Sequence, residues 1–366
     1  MTVLTKRKNS LKTKSNSKTK KSRKLKKVEK QTKTKTSLCK CKLNNSDSKH
    51  IGIFSFSKIV YDNGNISTKN YNSTSDTMYQ IASCSKFITA IVVAKLYELG
   101  KLDYDTDINK YLKKWKCPKK GITLKHLLTH TSGSSDDNGY LGYPPQDSQQ
   151  QDLDLNIKII NGKLVSKPFN ITEKKGSKFM YSGAGFQVIQ QVLEEITNER
   201  LYNLMEKYIF TPLNMKNSTG KLLYEGQHKY SLADMDGLYR IYPETSAAGV
   251  WMSCNDLLTL TLDLMNSYND NSGKILQQET MKLITTNYNT GDKSLFPKWG
   301  LGISLKEDEE GRKKFGHCGH NEGYKMVLNC IPEKKNINIY MLNYNSKYYY
   351  NPKYKVPEKV KQILDL

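Results

Sequence analysis

The chain has 366 residues, 37% of them apolar, and a formal net charge of +23. That length accommodates one large domain or two smaller ones, and no apolar run reaches the roughly 18–20 residues of a membrane-spanning helix. The first residues lack the apolar core of a secretory leader, so a soluble, intracellular protein is expected.

The charge is unevenly placed. Residues 1–50 hold 18 Lys/Arg against Glu29 and Asp47, a net of +16, while the other 316 residues hold 40 basic and 33 acidic. Residues 1–45 are a Lys/Ser/Thr run without apolar periodicity, which cannot offset its own ordering entropy. A disordered tail is expected there, with residues 46–366 forming the folded domain. The tail reads as a solvated arm, a non-specific polyanion-binding segment or a targeting segment. No aromatics are interleaved with its lysines, so stacking on bases is not suggested. The seven cysteines, Cys39, Cys41, Cys84, Cys117, Cys254, Cys318 and Cys330, are odd in number and scattered. That argues against a disulfide framework and for a reducing compartment. Cys39 and Cys41 offer half of a metal site, but no second pair lies nearby, and no metal or cofactor is expected.

The folded part opens with strand-like Ile51–Phe56 and Lys58–Tyr61, followed by the turn signal Asp62-Asn63-Gly64. A helix is expected from about Ser83 to Leu99, ending at Gly100, and a short one over Thr123–Leu128 with Thr123 as N-cap. Residues 133–178 are polar and read as a long loop with little regular structure. Helical runs follow at Gly185–Ile196, from about Leu201, and at Cys254–Met265. Lys325–Ile331 and Ile337–Leu342 read as a hairpin of strands. Strands at both ends with helices between them predict an α+β fold, its sheet built from both chain ends beside a mainly helical region.

Three segments carry candidate chemistry. Ser83-Cys84-Ser85-Lys86 sets a serine and a lysine nearly one helical turn apart, so the lysine can take the hydroxyl proton. The helix start also offers backbone N–H groups to a developing oxyanion. The spacing alone is common here: Ser15/Lys18, Ser17/Lys20, Ser37/Lys40, Ser46/Lys49 and Ser55/Lys58 share it. Ser83 differs in opening an apolar helix; the ordinary alternative is a helix cap. Tyr181-Ser182-Gly183 supplies a tyrosine that a nearby cation can turn into an acid–base, or simply a packing aromatic. His317-Cys318-Gly319-His320 precedes a strand, and Gly319 would let a substrate lie close to the backbone. Two histidines without a third ligand do not make a metal site.

In order, these segments resemble the class C β-lactamase and penicillin-binding-protein superfamily. Leu124–Gly133, Lys178–Phe186, Pro243–Trp251 with Ser253–Leu257, and Trp299–Gly302 agree with further stretches of it. The resemblance implies an antiparallel five-stranded sheet flanked by helices, with an inserted helical region. It implies a serine hydrolase working through an acyl-enzyme on a small-molecule or peptide substrate with an amide, lactam or ester carbonyl. Ser83 would be the nucleophile, Lys86 and Tyr181 would handle the proton, and the backbone N–H groups of Ser83 and His320 would hold the oxyanion. His317 would line the site, contacting a substrate carboxylate or the tyrosine, and Gly183 and Gly319 would border the substrate. Two departures stand out. Gly183 replaces the asparagine of lactamases, and His317 replaces their lysine with a group of ordinary pKa about 6.5, mostly neutral at pH 7. A neutral His317 in the site predicts an activity loss below about pH 6. Cys84 and Cys318 read as small packing residues. The competing reading is an idle scaffold that binds a ligand or partner.

For the tail, deletion of residues 1–45 should leave hydrolysis unchanged while removing polyanion binding that falls steeply with salt. A large loss of turnover on that deletion, measured beside the full chain, would place the tail in the fold or the site.

Overall fold

A computed structural model describes residues 53–134, 154–163, 168–223, 239–288 and 298–344. The tail and the Cys39–Cys41 pair lie outside the described residues.

Strand β1 (Ile53–Asp62) runs into β2 (Asn65–Tyr71) through Asn63 and Gly64 at φ 44° and 97°. Both positive angles suit Asn-Gly, the turn chemistry whose twist matches that of paired strands. Near the other end, β9 (Tyr324–Ile331) and β10 (Asn336–Tyr344) form the expected hairpin. β1 pairs with β10 from Ile53↔Tyr344 to Asp62↔Asn336, so the sheet joins the two ends of the domain.

With β6 (Lys298–Trp299), β7 (Ser304–Glu307) and β8 (Lys313–Asn321), the sheet is antiparallel in the order β2-β1-β10-β9-β8-β7-β6. It has seven strands where five were expected. The two extra strands are the edges: β2, exposed along nearly its whole length, and the two-residue β6. β3 (Met78–Gln80), β4 (Ser218–Thr219) and β5 (Trp251–Ser253) form a second, small sheet that was not foreseen.

The helical part is built around α1 (Ser85–Glu98), whose residues from Ser85 to Ala94 are all buried. A helix apolar on every side belongs in the middle of a core. The helix does not begin at Ser83 as expected: Ala82–Cys84 form a tight 3₁₀ turn first. α2 (Leu124–Leu128) is capped by Thr123 as expected, with His126 closing a capping box. α3 (Leu155–Ile160) corrects the reading of residues 133–178 as irregular. Leu155, Ile159 and Ile160 are buried, and Asn156 Nδ2 donates to the Gln187 carbonyl and to Gln191 Oε1. Both acceptors lie on α4 (Gly183–Thr197). α5 (Leu201–Met205) continues into a π-helical turn, α6 (Cys254–Asp270) packs on β1 and β10, and α7 (Gln278–Ile284) completes the helices.

One contact ties the sheet to the start of α1. A Cβ placed on Gly319 would lie 2.1 Å from the Ile81 carbonyl oxygen and 3.1 Å from the Ala82 Cβ. Gly319 is therefore required by the chain's own turn. Gly319→Ala should destabilise the domain by about 1–3 kcal/mol, lowering Tm by several degrees in a thermal melt. An unchanged Tm would show that the turn yields freely.

Candidate active site

From Thr77 to Ala94 every residue is buried except Ser83. The half-exposed serine sits on a turn whose preceding residue, Ala82, has φ +49°. A left-handed angle at a non-glycine residue costs about 1–2 kcal/mol and persists only where the surroundings enforce it. Here β3 on one side and Gly319 on the other do so. The Ser83 hydroxyl is not spent on capping, because the N-cap of α1 is Cys84 and no side chain caps it.

Lys86 is completely buried. Its Nζ donates to the Ala247 carbonyl at 2.9 Å and to Ser83 Oγ at 3.4 Å. It lies 4.9 Å from the centre of the Tyr181 ring and 5.8 Å from that of Phe186. The segment bearing Ala247 is locked to both core helices. Thr89 Oγ1 donates to the Ser246 carbonyl, Ser246 Oγ donates to Gln187 Oε1, and the Val250 N–H donates to Ser85 Oγ. The structure thus brings Ser83, Lys86 and Tyr181 into one place.

Tyr181 is half-buried, next to the N-terminus of α4. Ser182 is the N-cap of that helix and accepts from the Gly185 N–H at 3.0 Å. Gly183 is its first, buried residue and offers no amide side chain to a substrate. The His130 ring stands 4.4 Å from the Tyr181 ring, and Trp299 stands 6.0 Å from it.

On β8, pairing with β7 stops at Gly316, so β7 does not cover residues 317–321. That stretch packs instead on the Ser83 turn. His317 is buried, 5.5 Å from the Trp299 ring, and its Nδ1–H donates to the Cys318 carbonyl. His320 has an exposed side chain whose Nε2 hydrogen-bonds the Tyr344 hydroxyl at 2.5 Å. Cys84 is buried, and burial pushes its thiol well above the ordinary range, so it is no thiolate nucleophile. No group of three or more His, Cys, Asp or Glu among the described residues is arranged to hold a metal. No helix among them is long and apolar enough to cross a membrane.

Two contributors were not foreseen. His130 lay inside the Leu124–Gly133 stretch but was given no role; only its fold neighbours reveal one. Ala247 acts through its carbonyl, which leaves no side-chain signal in a sequence.

Burial, and then the Lys86 ammonium, push the His317 pKa down from 6.5 to about 3. The same two causes, with His317 in third place, push His130 well below 6.5. His317 is therefore neutral throughout the ordinary working range, and the activity loss near pH 6 expected from the sequence is not its titration. The consequence is for stability. Below pH 6.5 the unfolded histidines take up protons that the folded ones refuse, so stability is full above 6.5 and lost as pH falls. Each such histidine costs about 1.4 kcal/mol per pH unit in that window. Thermal melts between pH 7 and about pH 5 should show Tm falling in the parent and falling less in His317→Gln. Equal slopes would contradict the buried neutral imidazole.

The Beta-lactamase family matches residues 47–353. Teichoic acid D-alanine hydrolase from Staphylococcus aureus is 28% identical over 177 residues, 45% of this chain and 41% of that protein. The match thus spans about two fifths of the curated relative. Three solved structures share the fold at 18–21% identity. The octameric penicillin-binding protein homologue from Pyrococcus abyssi gives a TM-score of 0.64 over 87% of this chain and 75% of that one, at 21% identity. The D-amino acid amidase from Ochrobactrum anthropi SV3 gives 0.64 over 88% and 98%, at 18% identity. The β-lactamase/D-alanine carboxypeptidase from Yersinia pestis gives 0.66 over 87% and 93%, also at 18% identity. The serine-lysine turn, the tyrosine at a helix start and the strand beside them thus sit in a matching fold, and the chain belongs to the Beta-lactamase family of serine hydrolases.

Proposed function

We propose that the protein is an active serine hydrolase that cleaves an ester or amide of a D-amino acid through an acyl-enzyme. The observation that carries this reading is the placement of Ser83. It is half-exposed in an otherwise buried segment, its hydroxyl is 3.4 Å from the Nζ of a buried lysine, and Tyr181 stands over that lysine.

In this reading Ser83 Oγ attacks the substrate carbonyl carbon and its proton passes to the Tyr181 oxygen, which acts as a phenolate stabilised by the neighbouring Lys86 ammonium. The carbonyl oxygen becomes an oxyanion held by the backbone N–H groups of Ser83 and His320. Collapse of that intermediate breaks the bond to the amine or alcohol, which leaves with the proton. Water then attacks the acyl-enzyme, the same pair removes its proton, and the acid is released with Ser83 restored. The Ala247 carbonyl fixes the lysine in place throughout.

The substrate class rests on two arguments. Three of the four proteins named above carry D-alanine or D-amino acid in their names. The site's own chemistry disfavours β-lactams. Gly183 has no amide to meet an acylamino group, and a buried His317 kept neutral is a weak anchor for a carboxylate.

Hydrolysis of D-alanyl and L-alanyl esters and amides, with a penicillin beside them, tests the reading. Turnover should favour the D-alanyl compounds by at least about tenfold, the discrimination that one well-placed apolar contact supplies. Ser83→Ala should abolish it while leaving the protein folded, with a stability loss of about 1–3 kcal/mol because the buried Lys86 loses the hydroxyl it donates to. Lys86→Ala and Tyr181→Phe should each cost about 10²–10⁴-fold in kcat, the usual worth of a general acid–base. Preference for L-alanyl substrates, or a Ser83→Ala protein as active as the parent, would overturn the proposal.

A further inference from the structure

Outside the serine-lysine pair, the densest set of contacts on the acid–base side of the site converges on one residue, His130. It is completely buried at the end of α2, in a left-handed conformation with φ +56°. Its carbonyl accepts from the Met180 N–H at 2.7 Å. Its Nδ1 accepts from the Ser182 N–H at 3.0 Å. Its ring lies against Tyr181 with the centroids 4.4 Å apart and the planes 35° apart. One residue therefore holds all three residues of the segment 180–182, two by hydrogen bonds to the backbone and the middle one by its ring.

Its other neighbours prevent the ring from turning. Trp299 at 5.0 Å, Phe179 at 5.4 Å and Phe186 at 5.5 Å surround it. Trp299 is itself anchored, its Nε1–H donating to the Leu128 carbonyl at 3.0 Å. An imidazole whose Nδ1 accepts from an amide must carry its proton on Nε2. That Nε2 is buried and has no hydrogen-bond partner among the described residues. Leaving a buried donor unsatisfied is costly, and an apolar ring would avoid the cost if packing alone were the purpose. What phenylalanine cannot supply is the acceptor for the Ser182 N–H.

We infer that His130 is a positioning residue for the acid–base tyrosine: its neutral ring fixes the Tyr181 side chain, and hence its hydroxyl, relative to Lys86 and Ser83. The inference rests on the proposed role of Tyr181. The charged or titratable groups facing His130 are Lys86 from α1, His317 from β8 and Tyr181 itself. Burial first, and Lys86 after it, oppose protonation of the imidazole, so the acceptor nitrogen stays available across the working pH range. A displacement of the tyrosine by about an ångström would cost up to about 100-fold in rate.

The experiment uses two substitutions with different chemistry. His130→Phe keeps a ring against Tyr181 and removes the acceptor; His130→Asn keeps an acceptor near the place of Nδ1 and removes the ring. Thermal melts confirm folding of each. Phosphonylation by a fluorophosphonate and turnover of a D-alanyl ester are then measured against pH. His130→Phe should lower kcat by about 10–100-fold with little change in KM, and should shift the pH profile. His130→Asn should recover part of the loss. A role in stability alone would lower Tm but leave the kcat per labelled site and the pH profile as in the parent, and that result would overturn the inference. A second readout needs no turnover. In a Ser83→Ala background, carbon NMR of tyrosine labelled at Cζ follows the Tyr181 phenol, assigned with Tyr181→Phe. Its titration should move in His130→Phe and return toward the parent in His130→Asn; an unmoved titration overturns the inference even if the parent proves inactive. An inactive, unlabelled parent with a titration that does move would instead sink the hydrolase reading and leave the positioning intact.

Discussion

A lysine buried to the last atom is the constraint around which the rest of this structure is arranged. Taking an ammonium out of water costs several kcal/mol unless its donors are used. Lys86 spends them on the Ala247 carbonyl and the Ser83 hydroxyl, and lies over the faces of Tyr181 and Phe186. The segment carrying Ala247 can supply that carbonyl only because Thr89, Gln187 and Ser85 hold it rigid. Their own burial, and after it this charge, keep both nearby histidines neutral. The acid–base pair, its anchor and the two uncharged imidazoles are therefore one electrostatic unit.

The sheet serves that unit by position. β7 ends at Gly316, and the uncovered part of β8 meets the turn that presents Ser83. Gly319 permits the approach, and Ala82 takes up the strain in a left-handed angle. The serine is thus held at the junction of the two halves of the domain, with a rigid strand on one side and a fully buried helix behind it.

Much of this was legible from the residues. The Asn63-Gly64 hairpin, the β9–β10 hairpin, the long apolar α1 and the Thr123 cap each follow from local chemistry with few alternatives. The order of the three motif segments pointed to Ser83, Lys86 and Tyr181, and the structure brings those side chains together. What was not legible depends on long-range packing. β3 and β5 are three residues each and wholly buried, so they show no alternation to read. α3 is a six-residue helix inside polar sequence, and only its partners on α4 explain it. The protonation state assigned to His317 changes for a related reason: its ordinary pKa says nothing about a burial that the sequence does not display. His130 and the Ala247 carbonyl gain their roles from residues about fifty or more positions away.

The most direct test of the central claim is the location of a covalent label. Incubation of the full chain with a fluorophosphonate, followed by intact mass and peptide mapping, should show a single adduct on the peptide containing Ser83. The adduct should be absent from Ser83→Ala and should form far more slowly in Lys86→Ala. An adduct on another serine, or a Lys86→Ala protein labelled at the parent's rate, would contradict a nucleophile activated by this buried lysine.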